Sequence, residues 1–176
     1  VAGYMPNMPE TIIAMLAASS LGAIWSSASP DFGAQGVLDR FGQIEPTVLI
    51  GVDGYFYNGK SVECMSKIRD IQRELKSVKK TVLVPFVSDS PDLTGLTDTV
   101  LHDDFIAAYQ AGEIAFARLP FHHPLFIMFS SGTTGAPKGV MYRLVAGPAT
   151  SKADVVKLCE ALKAEGDFCQ VVSFAS

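Results

Sequence analysis

Positive charge is in short supply. Lys and Arg together number 14 against 18 Asp and Glu, which leaves a formal net charge of −4. A balance of that sign excludes a broad basic field for gripping a nucleic-acid backbone. Any phosphate this chain binds has to be held by a local site. Cysteine is scarce as well. Cys64, Cys159 and Cys169 are the only three, odd in number and far apart, so they supply neither a disulfide framework nor a zinc-binding pattern. Free, buried thiols in a reducing compartment are the expectation, and with them a cytosolic address. No apolar run reaches the roughly 20 residues a bilayer span needs. The longest candidate, over 12–24, contains Ser19 and Ser20 and breaks at Gly22. The three histidines, His102, His122 and His123, lack metal-ligand spacing, and solvated or capping roles are expected of them. Asp103 and Asp104 suit the start of a helix better than a cation site. No Ser-His-Asp or Cys-His arrangement can be assembled from the remaining residues.

Apolar residues make up 48% of the chain and charged residues 18%, a globular composition with enough length for a core of its own. Val1–Met5 is an apolar stretch without an initiating Met and reads as a strand already under way, so the natural N-terminus is expected upstream. Pro9 suits the first turn of a helix. Ile12, Ile13, Leu16, Ala17 and Leu21 then recur at helical spacing, and Gly22 is the expected stop. Ala23-Ile24-Trp25 reads as a second strand, with Trp25 in the core. A turn at Ser29-Pro30-Asp31 leads to a second helix bearing Val37, Leu38 and Phe41, and Val48-Leu49-Ile50 is a third strand. Strands and helices in alternation build a parallel sheet with helices on its faces. The spacing predicts a further amphipathic helix over Ser61–Leu75, with Val62, Met65, Ile68, Ile71 and Leu75 on its apolar face. Thr81–Phe86 reads as a strand, Ser88–Thr99 as a surface loop, Asp103–Ala111 as a short helix, and Leu125–Phe129 as a buried strand.

That last strand feeds the most informative segment, Ser130-Ser131-Gly132-Thr133-Thr134-Gly135-Ala136-Pro137-Lys138-Gly139. It falls where open α/β sheets put ligands, beyond the carboxyl end of a strand. The glycines let the backbone come close to a ligand, and successive amides in such a turn can converge on an anion. Ser130, Ser131, Thr133 and Thr134 add hydroxyls, and Lys138 adds one positive charge. A polyphosphate needs this combination of many donors, one cation and little bulk. A Walker loop is excluded, because Pro137 precedes Lys138 and Gly139 follows it where that motif requires Lys-Ser/Thr. The plain alternative is a surface loop rich in Gly and Thr.

The segment Ser130–Gly139 resembles the phosphate-binding signature of the adenylate-forming superfamily, which includes acyl-CoA synthetases, luciferases and peptide-synthetase adenylation domains. The resemblance implies attack of a carboxylate on the α-phosphate of ATP, then displacement of AMP by the thiol of CoA. Ser131, Gly132, Thr133, Thr134, Gly135 and Lys138 would hold ATP phosphates, with Lys138 catalytic through the charge on departing pyrophosphate. Within the superfamily, 22–33, 37–41, and 119–120 with 123–131 are similar to the acetoacetyl-CoA synthetases more than to their acetyl-CoA relatives. Acetoacetate, ATP and CoA are then the implied substrates, with Mg accompanying ATP. Tyr57-Asn58-Gly59-Lys60 falls where the acetyl-CoA enzymes have a basic segment that contacts CoA phosphate. The resemblance thus suggests Lys60 as a CoA contact; an exposed lysine before a helix is the competing reading.

The fold implied is α/β, parallel-sheet layers with flanking helices, and an incomplete portion of the large N-terminal domain of an adenylate-forming enzyme. The resemblance runs from Val1 to about Gly139, a partial AMP-binding domain. Residues 140–176 form a divergent tail. In it Ser151-Lys152-Ala153-Asp154 resembles a capping box ahead of a helix, and Phe168–Phe174 a strand. The purine, ribose and magnesium contacts and the catalytic lysine of the family's small C-terminal domain lie beyond this chain. The isolated polypeptide is therefore expected to be inactive and, with apolar sheet surface uncovered, poorly soluble. Competing readings are another short-chain acyl-CoA synthetase, a non-catalytic nucleotide-binding module, and an α/β domain without a ligand.

Overall fold

The computed structural model describes residues 1–130 and 138–142. The chain divides into two compact units, Val1–Leu144 and Val145–Ser176, and all described residues belong to the first.

Five short strands form the main sheet: β1 (Ala2–Tyr4), β2 (Ser26–Ala28), β3 (Val48–Val52), β6 (Lys80–Val84) and β7 (Thr99–Leu101). Their order is β2-β1-β3-β6-β7, and every neighbouring pair is parallel. Helix α1 (Pro9–Ser20) links β1 to β2, and α2 (Ala34–Ile44) links β2 to β3. Because β2 lies on one side of β1 and β3 on the other, right-handed crossovers put α1 and α2 on opposite faces. This is a doubly wound α/β arrangement.

The core fills the face under α2 and α3 (Met65–Glu74). Val37 and Phe41 of α2 and Ile68 and Ile71 of α3 are fully buried against Ala2, Tyr4, Leu49 and Leu83 of the sheet. Cys64, the residue before α3, is a free thiol buried in the same cluster. Burial pushes this thiol up to about 11, which leaves almost no thiolate at neutral pH. In the native chain at pH 7 a thiol reagent should leave the Cys64 peptide unlabelled by mass spectrometry, and denaturant should expose it. Labelling within minutes under native conditions would contradict this packing.

The opposite face is covered less well. Its small cluster, Met5, Val52 and Val84, is joined by Met8 and Ile50. Helix α1 is apolar all round yet buries only Ala18, and Ile12, Ile13 and Leu16 stay more than half exposed, at 53%, 58% and 59%. Uncovered apolar surface thus includes α1, Ile114, Phe116, Leu119 and Phe121 beyond it, and the strand residues Phe56 and Met128. Segment 114–121 lies along the end of α1: the Ala117 amide donates to the Ser20 carbonyl at 2.8 Å. Leu119 stands where a side chain at Gly22 would point (φ +76°), its Cδ1 2.9 Å from that Cβ position. The helix stops there, as its Gly22 signal required.

Three sequence expectations are corrected. Strand β2 begins at Ser26, downstream of Ala23–Trp25, and Trp25 makes only an isolated bridge. The helix expected from Ser61 starts at Met65. In place of its first turn is a hairpin of β4 (Gly54–Tyr57) and β5 (Lys60–Glu63). Its turn residues Asn58 and Gly59 have φ of 48° and 73°, the mirror-image turn that matches strand twist and that Asn-Gly favours. The stretch expected to be a buried strand, β8 (Phe126–Ser130), pairs antiparallel with β9 (Lys138–Tyr142), outside the five-stranded sheet. Met128 of β8 is 56% exposed. The remaining helix, α4 (His102–Ala107), has Asp103 and Asp104 in its first turn, as expected.

Candidate functional site

Strand β8 joins the body of the fold through one parallel rung beside β2. The Trp25 amide donates to the Leu125 carbonyl at 3.0 Å, and the Ile127 amide to the Trp25 carbonyl at 2.9 Å. The Ser26 hydroxyl then donates to the Ile127 carbonyl at 2.8 Å. Because β8 runs parallel to β2, its carboxyl end lies on the same edge of the fold as the carboxyl ends of the main strands. Ser130 ends β8 and is paired in register with Lys138, the first residue of β9. This rung closes the neck of the glycine-rich segment and holds its two ends within hairpin distance, about 5 Å between Cα atoms. Ser131, Gly132, Thr133, Thr134 and Gly135 lie outside the described residues, as do the helix and strand expected in the tail.

Lys60 sits on the β4–β5 hairpin, which rises from the end of β3. It pairs with Tyr57 across the turn and is exposed, as are Phe56 and Tyr57. It is not a lysine preceding a helix, because β5 intervenes. Phe56 meets Phe86 edge-on at 5.6 Å between centroids, which steadies one side of the hairpin. The neck of the loop and the hairpin both follow the carboxyl ends of parallel strands, β8 and β3, and so stand on one edge of the fold.

Two anchors set this edge, and the sequence reading missed both. Asp53, 2% exposed, directly follows β3, and its carboxylate accepts amides from Phe86 at 2.7 Å, Val87 at 3.1 Å and Ser88 at 2.8 Å. Its own carbonyl accepts the Cys64 amide at 2.8 Å, closing the base of the hairpin. The turn Ser29–Phe32, between β2 and α2, is gripped from three sides. The Tyr4 hydroxyl lies 3.0 Å from the Pro30 carbonyl and 2.9 Å from that of Phe32. Lys67 Nζ donates to the Pro30 carbonyl at 3.0 Å. Hydrogen bonds from Tyr55 and then Ser29 hold the Asp31 carboxyl below its ordinary value, and the same bond to Asp31 raises the Tyr55 phenol. Burial is the main reason the Tyr4 phenol is also raised. The signals were an Asp-Gly pair after an apolar strand for Asp53, and nothing in the local pattern for Tyr4.

Trp25 is buried, at 4% exposure, as expected of a core residue. His123 caps: its Nε2 lies 2.8 Å from the Gly22 carbonyl at the end of α1. His102 bonds to the neighbouring Asp103 at 3.0 Å. Among the described residues no group of three His, Cys, Asp or Glu could hold a metal ion, and no helix is long and apolar enough to cross a membrane.

Comparison with known proteins bears on the same segments. The family model described as AMP-binding enzyme matches residues 1–175. Acetoacetyl-coenzyme A synthetase of Rhizobium meliloti (strain 1021) is 57% identical over 143 residues, 81% of this chain and 22% of the relative. Acetoacetyl-CoA synthetase of Macaca fascicularis is 50% identical over 147 residues, with the same coverage of 81% and 22%. The solved acetoacetyl-CoA synthetase of Streptomyces lividans superposes with a TM-score of 0.72 at 40% identity, covering 81% of this chain and 21% of that one. This chain spans about a fifth of the length of the relatives it matches. Its mostly parallel α/β sheet, its glycine-rich hairpin segment and these matches agree: the chain belongs to the family of AMP-binding enzymes.

Proposed function

We propose that this chain is part of an acid–thiol ligase that activates acetoacetate with ATP as an acyl-adenylate and transfers it to CoA. The observation behind this reading is the Ser130–Lys138 rung. It brackets the Ser/Thr/Gly segment at the carboxyl edge of the fold, in a chain 57% and 50% identical to two acetoacetyl-CoA synthetases. In this reading Ser131, Gly132, Thr133, Thr134 and Gly135 hold the β- and γ-phosphates of ATP, and Lys138 offsets charge on the departing pyrophosphate. Lys60, on the same edge, meets a phosphate of CoA. Magnesium would accompany ATP through a ligand beyond this chain, so no step here depends on it. The buried Cys64 thiol fits a reducing compartment, and we assign the enzyme to the cytosol.

The test uses the full-length protein. Acetoacetate should drive exchange of labelled pyrophosphate into ATP, and Lys138→Ala should lower the affinity for ATP at least about tenfold, the scale of one charge-assisted contact. Exchange with acetate and none with acetoacetate would move the substrate to another short-chain acid. The 176-residue chain alone should form no CoA thioester.

A further inference from the structure

Strand β8 has two edges. On one it pairs with β9 and ends at the Ser130–Lys138 rung. On the other it meets β2 only at the bridge between Trp25 and Phe126. Bonds in a parallel ladder are evenly spaced, and the next one would run from the Ser27 amide to the Ile127 carbonyl. That carbonyl is taken instead by the Ser26 hydroxyl, at 2.8 Å.

The main sheet puts Ser26 in place for this. Ser26 is in register with Ala2 of β1, and its amide donates to the Val1 carbonyl at 3.1 Å. The backbone of Ser26 therefore bonds toward β1, and its side chain serves β8. At 2% exposure the residue is shielded from water. An Ile127 carbonyl that lost this donor would stay unpaired, at a cost, or pull the strand toward another donor. The Ser27 amide is the one the ladder would offer. Ser130 follows Ile127 by three residues of extended chain, about 10 Å. Where Ile127 is pinned thus decides where the neck of the glycine-rich segment stands.

We propose that Ser26 is a positioning residue for the glycine-rich segment. Its hydroxyl holds the Ile127 carbonyl, keeps β8 off the β2 ladder, and so sets where the Ser130–Lys138 neck presents its donors to the phosphates of ATP. This inference rests on the nucleotide reading above and adds to it a residue outside the motif, 101 positions before the carbonyl it holds. Displacement of a binding group by about 1 Å is enough to cost a large factor in rate, even when the change lies away from the chemistry.

The test uses the full-length protein and acetoacetate-dependent exchange of labelled pyrophosphate into ATP. Ser26→Ala should raise the KM for ATP about tenfold, the scale of one buried hydrogen bond. The KM for CoA in thioester formation should not change, because Lys60 stands on a different hairpin. Ser26→Thr keeps the hydroxyl and should behave like the native enzyme. Ser26→Cys is close to serine in size and a weak donor, so it should fall between. Thermal melting checks that each variant folds, and Ser26→Cys decides if Ser26→Ala does not. In a Lys138→Ala background, Ser26→Ala should cost much less than it does alone, because both changes act on one contact. A folded Ser26→Ala with native KM for ATP, an equal rise in the KM for CoA, full additivity with Lys138→Ala, or a folded Ser26→Thr as impaired as Ser26→Ala would each overturn the inference. If Lys138→Ala also leaves the KM for ATP unchanged, the nucleotide reading falls with it. If Lys138→Ala raises that KM and Ser26→Ala does not, the nucleotide reading stands and only the role of Ser26 is lost.

Discussion

Phe41→Ala should destabilise the chain by about 3–5 kcal/mol, the range for deleting a buried aromatic ring. Phe41 has no exposed surface and lies at the meeting point of α2, α3 and the sheet. Its neighbours are elements of the fold and not loops, so the space left behind cannot collapse cheaply. Stabilities of single domains are only about 5–15 kcal/mol, so the variant would lie close to unfolding. Urea denaturation checks it: the midpoint should drop steeply while the slope stays constant. A loss under about 1 kcal/mol would mean that Phe41 is not in the core described.

The second large effect belongs to Asp53. Asp53→Ala should cost about 2–4 kcal/mol, because three backbone amides, of Phe86, Val87 and Ser88, lose their common acceptor. Each unsatisfied buried donor costs roughly 1–3 kcal/mol, and costs within one cluster do not add fully. Phe86 and Ser88 are exposed, so water will recover part of the loss. Asp53→Asn keeps one acceptor and should cost about half as much. Hydrogen exchange distinguishes this from general unfolding: amides 86–88 and those of the β4–β5 hairpin should lose protection first, since the Asp53 carbonyl also anchors Cys64. Loss of protection spread evenly over the sheet would refute that assignment.

Much of the main sheet was legible because its signals are local and agree with one another. The apolar runs at Val1–Met5 and Val48–Ile50, the Pro9 start and the Gly22 stop each point to an element that forms. The hairpin at 54–63 was misread although Asn58-Gly59 announced it. Val62 falls in step with Met65 and Ile68 of α3, and a helical period extended by one turn concealed a strand. Strand β8 was read as buried because Leu125–Phe129 is continuously apolar. Apolarity does not say which sheet a strand joins, and here the partner is β9, across the glycine-rich segment. The anchors were hidden for a different reason. Tyr4 and Pro30 are far apart in sequence, and only the closed fold brings the hydroxyl of one to the carbonyl of the other. For the site, the residue types of the glycine-rich segment were plain from the sequence. That Lys60 stands on the same edge was not, because this follows from strand direction.

The link between Trp25 and Phe126 has a mechanical corollary. A hairpin fastened to its parent sheet by one backbone bridge and one serine side chain is a seam, and a seam is the weakest line under load. Heat or denaturant should detach β8 and β9 from the parallel strands before those strands part from one another. The protein would then come apart in two stages, the β8–β9 hairpin first.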